Sequence, residues 1–169
     1  MAIIDAWLPS EQLDRLTQAY QKEEQVVIDL LSKAMPGIYD RTLQYIGAIR
    51  VEFYDLSTRA MTPKDRERCL IAILASRDAG LNLAIHIYLG LMEGLSAPDI
   101  AEILFLSGAY TGVDRLSDGL VVEWRTLDVL RQLASDPNGC AVNQVMGKLR
   151  DTFGPPLPAL PPPPKSSQK

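Results

Sequence analysis

Apolar positions recur every three or four residues from Pro9 onward. Leu13, Leu16, Tyr20, Val27, Leu31 and Ala34 fall in phase over one long segment, which is the spacing of one helix face. Pro9-Ser10 opens this segment: Ser10 can cap a helix and Glu11 suits its first turn. "MPG", Met35 to Gly37, closes it. A second helix is predicted from about Tyr39 to Tyr54, with Leu43, Ile46, Ile49 and Phe53 on one face. A third opens at "TPKD", where Thr62 is an N-cap, Pro63 takes the first helical position and Asp65 falls in the first turn. Cys69, Leu70, Ile71, Ile73 and Leu74 make it apolar nearly all round, so it is expected to be buried. "RDAG", Arg77 to Gly80, breaks it.

The next helix lies in "AGLNLAIHIYLGLMEGLS", Ala79 to Ser96, and is expected to end at Gly94. Ser96 caps its successor, with Asp99 placed for a capping box and Pro98 in the first turn. Ile100, Ile103, Leu104 and Leu106 carry that helix to about Tyr110. "TGVD" reads as a turn. A further amphipathic helix runs from about Leu116 to Leu133, with Leu120, Trp124, Leu127 and Leu130 or Arg131 in phase. "SDPNGC" breaks again before a short helix to about Phe153. No segment alternates convincingly with period two, so the fold class is all-α. The tail "PPLPALPPPPKSSQK" lacks the donors for regular structure and reads as polyproline II or a solvated segment. A proline-recognition partner is the sharper alternative for it.

Composition narrows the function classes. At 169 residues the chain suits one domain with a substantial core. Its net charge of −4 leaves no electrostatic footprint for nucleic acid. No apolar run is long enough to span a bilayer, and "MAIIDAWLPSEQ" is too short and too acidic for a signal peptide. Cys69 and Cys140 lie far apart and form no Cys-x-x-Cys. With one histidine, a structural zinc site has too few ligands. A cytoplasmic location is expected.

That histidine, His86, is the candidate for chemistry. Ala79, Asn82, His86, Gly90 and Glu93 share one helix face. Small and polar residues therefore collect around the imidazole, as in a pocket wall or a close helix crossing. A histidine base often has a carboxylate to orient it. Asp65, Glu67 and Asp78 of the preceding segment are the nearest candidates. The bland alternatives are a satisfied core histidine and a Glu67 that stabilises only its own helix dipole.

"TPKDRERCLIAI", "LAIH", "GLSAPDIAEIL" and "AYTG" follow one another in an order and spacing that resemble the carboxymuconolactone decarboxylase family, which includes the alkylhydroperoxidase AhpD branch. The resemblance covers roughly Tyr39 to Leu120 and implies an AhpD-like helical bundle. It divides the chain into a helical extension (1–35), the family-like domain (36–134), a C-terminal helix (135–154) and the proline-rich tail (155–169). In the peroxidase branch a glutamate precedes a Cys-x-x-Cys pair and a histidine. Aligned on His86, the glutamate falls on Glu67 and the cysteine positions on Ala79 and Asn82. Thiol peroxidase chemistry then has no nucleophile.

The decarboxylase branch is similar without the cysteines. Its members act on muconolactone-type substrates without metal or organic cofactor. What this implies is an acid–base enzyme with no cofactor and no metal, acting on a small carboxylated or lactone substrate by decarboxylation or isomerisation through an enolate-like intermediate. His86 would be the acid/base and Glu67 its partner. Asn82 and Tyr110 are the candidate enolate donors. Arg77 is the candidate carboxylate clamp, ahead of Arg66, Arg68 and Arg115. Asp99 and Asp114 stand where the family often has a glutamate and a proline. The family commonly forms trimers or hexamers, so a homo-oligomer is expected, with the apolar helices around Leu70 and Leu104 as its core. The alternative is a non-catalytic oligomeric binding or scaffold member of the same family, with the extensions carrying Trp7 and Trp124 at its interface.

Overall fold

The computed structural model describes residues 8–33, 61–77, 80–136 and 139–154, with only the helical backbone over 23–33. These residues form six helices: α1 (Ser10–Lys33), α2 (Pro63–Ser76), α3 (Gly80–Met92), α4 (Ala97–Thr111), α5 (Val113–Ser135) and α6 (Val142–Phe153). No strand occurs among the described residues. The helix expected from Tyr39 to Tyr54, the "MPG" stop and the proline-rich tail lie outside them.

Local chemistry sets the helix starts. Thr62 Oγ1 accepts from the Asp65 amide at 3.1 Å, and Pro63 occupies the first position, where no donor is lost. At α4 the capping box closes both ways: Asp99 N–H donates to Ser96 Oγ at 3.2 Å, and Ser96 N–H donates to Asp99 Oδ2 at 2.9 Å. The start of α1 differs from expectation by one residue. Gln12 and Leu13 both donate to the Pro9 carbonyl, so Pro9 holds the cap position and Ser10 is already helical.

The core gathers on α3. "GLNLAIHIYLGLM" carries no Lys, Arg, Asp or Glu, and Leu83, Ala84, Ile87, Tyr88, Leu89, Gly90, Leu91 and Met92 are all buried. Helices α1, α2, α5 and α6 pack around it. Tyr20 of α1 meets Tyr88 edge-to-face, ring centroids 6.1 Å apart. Arg15 of α1 donates to the Ala134 and Asp136 carbonyls at the end of α5, a favourable place for a cation.

Three expectations need correction. Helix α2 is not buried all round: Ile73 is 52% exposed and Cys69 is exposed. Its hidden positions are Arg66, Glu67, Ile71 and Ala75, because α2 packs on α3 and α4 and an apolar run without phase does not say which side they take. "TGVD" is not a four-residue turn. Gly112 alone joins α4 to α5, at φ +108, a backbone that favours glycine. The buried stripe of α5 is also rotated from the expected one. Gly119, Glu123, Thr126, Leu127, Leu130 and Ala134 face inward, whereas Trp124 is 48% exposed and Arg131 is exposed.

That rotation follows from how closely α4 and α5 cross. A Cβ on Gly108 would lie 2.5 Å from Leu116 Cβ, and one on Gly119 would lie 3.2 Å from Leu104 Cδ2. The two glycines let the backbones meet, and this fixes the phase of α5. No helix among the described residues is long and apolar enough to cross a membrane.

Candidate functional site

Glu67 and His86 come together where α2 crosses α3. Two local features set the approach. Thr62 fixes the start of α2, which places Glu67 in its second turn on the inner face. Gly90 of α3 then gives α2 room: a Cβ there would lie 2.8 Å from Leu95 Cδ1 and 3.1 Å from Ile71 Cδ1, with Glu67 Cβ at 3.7 Å. The stripe Asn82–His86–Gly90 is therefore a close helix crossing as well as a polar face. Lys64 donates to the Gly94 carbonyl at 2.6 Å and ties the start of α2 to the end of the α3 segment.

Across this crossing His86 Nδ1 lies 2.7 Å from Glu67 Oε2. The glutamate side chain is 4% exposed and the imidazole 20%. An ionised carboxylate only accepts, so with Glu67 charged the proton sits on Nδ1 and Nε2 presents its lone pair. Nε2 has no hydrogen-bond partner among the described residues and is not sealed from solvent. The pair thus has one buried, fixed end and one reachable end. A histidine that merely satisfied its own polar atoms in the core would not leave its second nitrogen open.

The other expected site residues sit differently. Asn82 is exposed, one turn before His86 on the same face of α3. Arg77 is exposed at the C-cap of α2, where its backbone N–H donates to the Leu74 carbonyl at 3.1 Å. Tyr110 is 85% exposed in the last turn of α4. Helix α4 turns Ile100, Leu104 and Gly108 fully inward and leaves Tyr110 on its outer side. No hydrogen bond or ion pair among the described residues links Asn82, Arg77 or Tyr110 to the Glu67–His86 pair. Asp65, the other carboxylate considered on this helix, is engaged by Thr62 and Arg68. Those contacts hold its carboxyl below its ordinary value of 3.8, the Thr62 hydroxyl first. Asp78 lies outside the described residues.

Two further charged residues are buried: Arg66, considered in the sequence only as a carboxylate clamp, and Glu123, which went unremarked there. Arg66 is 9% exposed beside Glu67. Glu123 is 5% exposed on the inner face of α5 and makes no side-chain hydrogen bond or ion pair among the described residues. Burial alone pushes its carboxyl up from 4.5 to about 7. The signal for it was present: Glu123 falls in phase with Leu116, Leu120, Leu127 and Leu130, but the larger Trp124 next to it suggested the wrong register. A separate cavity of about 500 Å³ lies between the starts of α1 and α4, among Leu8, Leu13, Leu91 and Pro98, and neither Glu67 nor His86 lines it.

Comparison of the chain with protein-family models, with curated proteins and with solved structures finds no match.

Proposed function

We propose that the chain is a cofactor-free acid–base enzyme of the carboxymuconolactone decarboxylase-like type, acting on a small carboxylated or lactone substrate. The supporting observation is the 2.7 Å contact between Glu67 and His86, closed at the carboxylate and open at Nε2. Glu67 is the positioning residue. It fixes the ring orientation and stabilises the imidazolium whenever Nε2 holds a proton.

In a decarboxylation the bond between the substrate's carbon and its carboxylate breaks and carbon dioxide leaves. The electron pair moves into an enolate on the adjacent carbonyl. Nε2–H of His86 then gives its proton to the carbon, and the ring regains one from water. In an isomerisation the same nitrogen takes a proton from one carbon and returns it to another. Asn82, exposed one turn earlier on the same face, is the candidate donor to the enolate oxygen. Arg77 is the candidate clamp for a substrate carboxylate.

A panel of lactones and β-keto or vinylogous acids tests the reading, with turnover followed as loss of substrate carboxylate or migration of the double bond. His86→Ala is expected to abolish turnover. Glu67→Gln is expected to lower it by about 10²–10⁴-fold, the range for a positioned acid–base group. Equal turnover in wild type and His86→Ala removes the histidine from the mechanism. The exposed apolar face of α4 favours a second reading, a binding member of the same family, and absence of turnover with any of the panel would support it.

A further inference from the structure

An imidazole held by a buried carboxylate is the acid–base half of a hydrolytic site. Glu67 fixes Nδ1, and Nε2 stays open on a side chain that is 20% exposed. In a catalytic triad that nitrogen would hold the proton of a serine or cysteine. The two helices that build the pair supply neither. Helix α3 contains no Ser, Thr or Cys. Its Tyr88 is fully buried and lies about 200° around the helix from His86. Helix α2 carries Cys69 and Ser76. These stand about 200° and 180° around the helix from Glu67, so both turn away from the pair. Cys69 is exposed there, and Ser76 Oγ donates to the Ile73 carbonyl at 2.7 Å. Among the described residues, Glu67 alone hydrogen-bonds the ring.

What does reach Nε2 is water. Carbanion chemistry does best with water shut out, because water leaks protons to the reacting carbon. Acyl transfer to water needs the access that the exposed ring edge gives.

We infer that the Glu67–His86 pair is also a hydrolytic centre, opening lactones and activated esters with water as the nucleophile. Nε2 takes a proton from water as the water oxygen bonds to the carbonyl carbon, and the carbonyl electron pair moves onto its oxygen. That pair then returns, the bond from the carbonyl carbon to the ring or ester oxygen breaks, and the leaving oxygen takes the proton from Nε2. A lactone gives a hydroxy acid; an ester gives an acid and an alcohol. Nothing is oxidised or reduced. Asn82 is the one side-chain amide in α3 and shares the His86 face, so it offers the oxyanion a single donor. One donor suits a carbonyl that is already activated, a strained lactone or an aryl ester, and not an amide. This activity uses the same pair as the acid–base reading and rests on it, but the bond broken differs. Hydrolysis adds a carboxylate and releases no carbon dioxide, so either reaction can fail while the other stands.

The test uses the full chain with dihydrocoumarin and p-nitrophenyl acetate as probes and p-nitroacetanilide as the amide control. Wild type is expected to exceed the same concentration of free imidazole by about 10²-fold or more, with the rate slowed in D2O and the anilide untouched. His86→Gln should fall to the solvent rate. Glu67→Gln should lose about 10²-fold with its helical circular dichroism kept. Cys69→Ser should match wild type. Because His86 is the sole histidine, diethyl pyrocarbonate on folded wild type gives the same answer without a variant: turnover should vanish and return with hydroxylamine. A wild-type rate no greater than free imidazole overturns the inference. So do equal rates in wild type and His86→Gln, loss of turnover in Cys69→Ser, or an acylated chain that accumulates in the mass spectrum during turnover.

Discussion

Glu123 gives the sharpest numerical prediction. Its carboxyl sits on the inner face of α5 without a hydrogen-bond or ion-pair partner among the described residues, and burial raises it from 4.5 to about 7. In the unfolded chain the same group ionises near its ordinary value. Between these two values the folded state holds the proton more often than the unfolded state. Stability therefore falls as pH rises from about 4.5 through about 7, and levels off above. At roughly 1.4 kcal/mol per unit the full span is about 3 kcal/mol, of which about 2 accrues between pH 5.5 and 8. Glu123→Gln keeps the shape and removes the ionisation. Urea unfolding at pH 5.5 and 8 should then show a wild type that loses about 2 kcal/mol more than the variant over that interval. In thermal melts the corresponding extra fall is about 4–8 °C for a chain of this size. Parallel pH profiles for the two proteins would show that Glu123 is compensated in the folded state and would refute the reasoning.

Three further outcomes follow from local geometry. A low-field Nδ1 proton resonance is expected from the Glu67–His86 bond; because His86 is the sole histidine, its absence in wild type, or its unchanged survival in Glu67→Ala, which removes the acceptor, would show that the bond does not persist in solution. Gly90→Ala forces a Cβ to within 2.8 Å of Leu95 and 3.1 Å of Ile71; overpacking of about 1–3 kcal/mol exceeds the helix-propensity gain of about 1, so the melting temperature should fall and the His86 resonance should shift. Ser96→Ala removes half of the α4 capping box and should cost about 1 kcal/mol near neutral pH. The Ser96 amide, and then its hydroxyl, hold the Asp99 carboxyl below its ordinary 3.8, so the cap contributes above that range and fades as pH falls through it; an equal cost in acid and at neutrality would contradict this assignment.

Helix existence and capping were legible in the sequence because they depend on residues within one turn of each other. Thr62 with Asp65 and Ser96 with Asp99 need nothing from the rest of the chain. Which face of a helix turns inward was legible only where the pattern had a phase. In α2 and α4 nearly every position past the first turns is apolar, so the exposure of Ile73, Leu106 and Tyr110 could not be read from the string. In α5 the phase was present but misjudged, since the crossing at Gly108 and Gly119 decides it. The site divides in the same way. The Glu67–His86 contact came from the family resemblance and the helical stripe, not from either residue alone. The exposure of Tyr110 was not legible, because its place depends on the rotation of α4 against two neighbours.

The bonds from Arg15 to the carbonyls of Ala134 and Asp136 span 119 and 121 residues. They bear on the order in which the chain is made. On the ribosome α1 emerges well before the carbonyls that anchor it and the α6 surface it packs on. Until then Leu16 and Tyr20, both buried in the finished protein, have α3 to pack on but not α6. A helix made early thus waits for a late anchor, and a nascent chain stalled before residue 134 lacks both of the Arg15 contacts.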